Sequence, residues 1–151
     1  MALKATEIAT SIAAYSVTGV TIRDLDDFQD EIHDRDSDLP VLMPAPNFFT
    51  APKIDYKSLG TGASARINVT YVLRYRFFYA EVGDERALNE IFQGFVGKVT
   101  EIVDAVIAGD STADAIDLQV VDISPFGVVS DPVGNQFHGC DFGIQVLEFV
   151  N

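Results

Sequence analysis

Apolar and polar residues alternate strictly in one stretch of the chain. Ile67, Val69, Tyr71, Leu73, Tyr75, Phe77 and Tyr79 take the odd positions, while Arg66, Asn68, Thr70, Arg74 and Arg76 fall between them. A period of two is that of a strand with one buried face, and it predicts a long strand from about Arg66 to Val82. The period then changes: Leu88, Ile91, Phe92, Phe95, Val99, Ile102, Val103 and Val106 recur at helical spacing. This predicts a helix from Asp84, an N-cap residue type, to Ala108, with Gly109 as the residue that ends it. Such a helix is expected to pack across the sheet. Inside it Gly94 and Gly97 each cost about 1 kcal/mol relative to alanine, which points either to a close backbone approach or to tolerated surface glycines.

Upstream, Ile8, Ala9, Ile12, Ala13 and Tyr15 form one stripe of a short helix between Ala5 and Tyr15, with Gly19 expected to end it. From Arg23 to Asp38 the acids Asp24, Asp26, Asp27, Asp30, Glu31, Asp34, Asp36 and Asp38 surround the apolar anchors Leu25, Phe28 and Ile32, as in a solvated turn or short helix. Pro40, Pro44, Pro46 and Pro52 exclude a helix and any long central strand between Leu39 and Lys53, leaving an extended edge segment. Ile54 to Leu59 reads as a strand, and Gly60-Thr61-Gly62 as the turn of a hairpin into the long strand. After a turn from Gly109 to Asp114, Ile116 to Ile123 reads as a strand. A loop with Pro125, Gly127, Pro132, Gly134 and Asn135 then leads to a last strand, Gln136 to Val150. There Cys140, Phe142, Ile144 and Val146 share a face, and Leu147 and Phe149 break the register, predicting a bulge or twist. Together these elements predict one α+β domain over residues 1–151: a mostly antiparallel sheet of four to five strands, packed by one long helix and a short N-terminal helix.

Composition narrows the functional classes. A chain of 151 residues with 48% hydrophobic residues and eleven Phe can bury a core without disulfides or a metal. The 23 acidic against 10 basic residues give a net charge of −13, which repels a phosphate backbone and argues against sequence-reading nucleic-acid binding. Cys140 is the sole cysteine, so no internal disulfide or thiolate zinc site can form. The sequence shows neither a basic segment followed by an apolar run at its start nor 18 consecutive apolar residues, so neither a signal peptide nor a membrane span is expected.

The candidate chemistry is sparse. Asp24-x-Asp26 invites a calcium loop, but Phe28, Gln29 and Arg35 stand where that loop needs a ligand, a glycine and a glutamate. His33 and His138 have no companion at metal-ligand spacing. A Cys140–His138 nucleophile pair conflicts with the place of Cys140 in an apolar row, which suits a core thiol. Gly60-Thr61-Gly62-Ala63-Ser64 lacks the Lys-Ser/Thr of a phosphate loop. No enzyme activity and no cofactor are expected. The charge pattern is more informative. Arg66, Arg74 and Arg76 stand on the polar face of the long strand and need carboxylate partners, within the fold or across an interface. With Asp24, Asp26, Asp27 and Asp30 they are candidate subunit-interface residues.

In layout the chain resembles the tail-terminator, or tail-completion, family of long-tailed bacteriophages. The likeness rests on the N-terminal helix, the proline-rich segment Leu39 to Asn47, the strand ending Tyr75-Arg76-Phe77-Phe78-Tyr79, the helix Asp84 to Ala108, and the closing strand Gly134-Asn135-Gln136-Phe137-His138-Gly139-Cys140-Asp141-Phe142-Gly143-Ile144. The resemblance implies a virion protein, made in the host cytoplasm. It would form a homo-oligomeric, hexameric ring at the head-proximal end of the tail, between the tail tube protein and a head–tail connector or neck protein. Its role would be to end tube polymerisation and present the docking surface for the head, with DNA passing through an acidic lumen without sequence-specific binding. The alternatives are a connector or other minor tail protein and, from a different class, a small-molecule or peptide-binding module.

Overall fold

The computed structural model describes residues 3–27, 39–56, 67–83, 88–109, 117–131 and 134–150. Within them lie helices α1 (Ala5–Ala13) and α2 (Leu88–Ala108), and strands β1 (Thr21–Ile22), β2 (Val41–Tyr56), β3 (Ile67–Glu81), β4 (Asp117–Ile123), β5 (Gly127–Ser130) and β6 (Gln136–Val150). The architecture is mixed helix and sheet. The six strands form one sheet in the order β1-β2-β3-β6-β4, with β5 also on β6. All pairings are antiparallel except β1 with β2, which is parallel.

β3 is the spine. The alternation of its sequence becomes an alternation of faces: Val69, Tyr71, Leu73, Tyr75 and Phe77 are buried, with Thr70, Val72, Arg74 and Arg76 half-buried between them. It pairs with β6 from Ile67↔Val150 to Glu81↔Phe137, with one register shift between Phe78 and Ala80. The inward residues of β3 join Leu42, Leu118, Cys140, Phe142, Ile144 and Val146 from neighbouring strands, and Ile8, Ile12, Phe95, Ile102 and Val106 from the helices, in one core. Both helices therefore cover the same sheet face. A smaller cluster of Val41, Met43, Phe78 and Phe137 sits apart from that core.

Several expectations are corrected. The proline-rich segment and the strand expected after it are one strand, β2. It tolerates its prolines by slipping register between Pro44 and Phe49 and again between Thr50 and Lys53, where the missing N–H groups would interrupt a regular ladder. The stretch read as a loop after Ile123 contains β5. Because β3 occupies one edge of β6 throughout, β4 and β5 share the other, separated by Ser124-Pro125-Phe126. The bend at Asp131–Asn135 joins β5 to β6: Asn135 N donates to Asp131 Oδ1 at 2.7 Å, and Gly134 supplies a φ of +94°. The sheet thus has more strands than the four to five expected. No register shift falls at Leu147. That residue simply faces away from the helices opposite Thr70, and the inward position goes to Glu148, which is buried. α1 stops at Ala13, and Gly19, with φ +73°, turns the chain between Val17 and Val20 instead. The proposed N-cap Asp84 and the Gly60-Thr61-Gly62 turn lie outside the described residues.

The two helix glycines separate cleanly. A Cβ on Gly94 would collide with the Tyr79 hydroxyl, the far end of a half-buried side chain that would have to shift, whereas a Cβ on Gly97 would meet nothing within 4 Å.

Candidate functional site

The polar face of β3 points away from the helices and holds its carboxylates close. Arg76 lies directly opposite Asp141 in the β3–β6 ladder. Its Nε donates to Asp141 Oδ1 at 2.8 Å, its Nη2 donates to Oδ2 at 3.3 Å, and its Nη1 donates to the Ser130 carbonyl at 3.0 Å. This two-pronged contact ties three strands together, with both side chains about one-third exposed or less. Arg74 lies opposite Gly143, which has no side chain to block it, so it reaches over β6 to Asp122 on β4, with Nη1 at 2.7 Å from Oδ1. A Cβ at Gly143 would stand 2.8 Å from that Asp122 oxygen and 3.0 Å from the Arg74 nitrogen. The glycine is the gap through which this ion pair forms.

Among the described residues of the acidic stretch, none supplies these partners. Asp24 Oδ2 accepts from Thr10 Oγ1 of α1 at 2.9 Å, and Oδ1 accepts from the Leu25 amide at 2.7 Å. Its charge helps raise the pKa of Tyr75, after burial, the larger cause. Asp24 therefore lies on the helix side of the sheet, and Arg74 and Arg76 on the other. Asp26 is exposed on a one-turn 3₁₀ helix, Leu25–Asp27, that also contains Asp27. Asp30 and Arg66 fall outside the described residues. Of the two origins open for the arginines' partners, the fold supplies the internal one for Arg74 and Arg76.

A second polar cluster was invisible in the pattern. The buried carboxylate of Glu148 accepts from Tyr71 Oη at 2.6 Å and from the Lys4 amide at 3.0 Å at the start of α1. Negative charge at a helix N-terminus is favourable, so Glu148 anchors α1 to the end of β6. Burial first, and then the bond to Glu148 and its charge, push the Tyr71 hydroxyl well above its ordinary range. A glutamate between Leu147 and Phe149 could have flagged this position, but only the register shows that it points inward.

Cys140 is buried in the core, and desolvation, helped by the charge of Asp141, pushes its thiol up to about 12. Such a thiol is a poor nucleophile at neutral pH. His138 is buried and stacks on Phe126 at 5.6 Å, within an aromatic group that includes Phe92 and Phe95 of α2. Among the described residues no group of three or more His, Cys, Asp or Glu side chains is placed to hold a metal ion. No described helix is long and apolar enough to cross a membrane. Among the described residues, the buried Arg23 Nη1 and Tyr75 Oη have no hydrogen-bond partner.

The fold and these clusters define a class: a sheet with two helices on one face, and on the other the Arg74 and Arg76 ion pairs beside a second buried cluster of Val41, Met43 and Phe78. No protein-family model matches the chain, and no curated protein matches it.

Proposed function

We propose that this chain is a structural virion protein of a long-tailed phage: a terminator that closes into a ring on the tail tube, ends its polymerisation and offers the surface on which the head docks. One observation carries the reading. Both helices pack on one face of the sheet; on the other, Thr70, Val72, Gln145 and Leu147 lie half-buried, flanked by the Arg74–Asp122 and Arg76–Asp141 pairs, and at the β1 end of that same face Val41, Met43 and Phe78 are buried in a second cluster. A sheet normally buries both faces or solvates one with polar residues. A broad face of mixed apolar and self-neutralised side chains suits contact with another protein, because its charges are already paired and need no new partner to be covered.

The acidic balance supports the same role. A net charge of −13 lets DNA pass through a ring without adhering. The tail tube protein and a neck protein are the partners this role requires, and six copies the ring it implies. Light scattering of the purified protein at low and high salt, with electron microscopy of any large species, is the test. A closed ring of about six copies is expected; a monomer under every condition would overturn the proposal and favour a binding module.

A further inference from the structure

We draw no further inference here: the strongest candidate, the exposed apolar arc of α2 formed by Phe92, Val96 and Ile107, is one of several uncovered apolar patches, and nothing in the structure shows what covers it.

Discussion

Gly139 shows how much a single missing side chain can decide. A Cβ there would overlap the Phe77 carbonyl oxygen, a backbone atom held in the β3–β6 ladder, and come within 3.0 Å of Val129 Cγ2. Gly139→Ala should therefore destabilise the fold by about 3 kcal/mol, at the top of the usual overpacking range. Gly97→Ala, with open space around it in the middle of α2, should stabilise by up to about 1 kcal/mol. Urea unfolding of the two variants reads both; equal effects would contradict the packing at Gly139. Titration gives a second prediction. Cys140 is raised from an ordinary 9.0 to about 12, and Tyr71 and Tyr75 are raised as well. Since the unfolded chain gives up these protons first, it binds fewer than the native state above about pH 9. The stability from keeping these groups neutral is complete below that pH and is lost as pH rises toward the folded values. Urea midpoints should be flat with respect to these groups from pH 7 to 9 and fall beyond, and Cys140 should resist a thiol reagent at pH 8 until the protein unfolds.

At the scale of elements, the two polar clusters do different jobs. Glu148 holds α1 to β6 through the Lys4 amide and Tyr71 Oη, and it is buried. Tyr71→Phe removes one donor from a buried carboxylate and should cost about 1–3 kcal/mol, with the loss appearing as faster hydrogen exchange in α1 before the rest of the sheet. Uniform exchange across the molecule would show that α1 is not a separately anchored unit. On the opposite face, Arg76 bonds Asp141 with two nitrogens and the Ser130 carbonyl with a third, while Arg74 reaches a half-exposed Asp122. Exposed pairs contribute little. Arg76→Ala should therefore cost about 1–2 kcal/mol and Arg74→Ala less than about 1 kcal/mol, as thermal melts of the two variants would show.

For the whole molecule, the consequence is a division of surfaces. The face of the sheet under α1 and α2 is committed to the core, and the opposite face carries the Arg74 and Arg76 ion pairs beside the buried cluster of Val41, Met43 and Phe78. Because Arg74 and Arg76 already have partners in the chain, reversing their charge should lower the stability of the monomer, where a subunit-interface role alone would weaken the ring and spare the fold. Melting temperature and scattering mass of Arg76→Glu separate these outcomes.

Local periodicity was enough to read β3, the core positions Phe95, Ile102 and Val106 of α2 and the burial of Cys140, because side-chain direction along a regular element depends only on its own repeat, while Phe92 of the same expected stripe stays half-exposed at its margin. Composition likewise determined the acidic surface. Pairing was another matter. That Asp141 and Asp122 rather than the Asp24 region meet the arginines, that Glu148 points inward, that β2 absorbs its prolines and that β5 exists at all depend on which strands lie side by side and in what register. These contacts join residues as far as 144 positions apart. No local repeat encodes such a separation; only the packed sheet, by excluding every register that buries the wrong face, decides it.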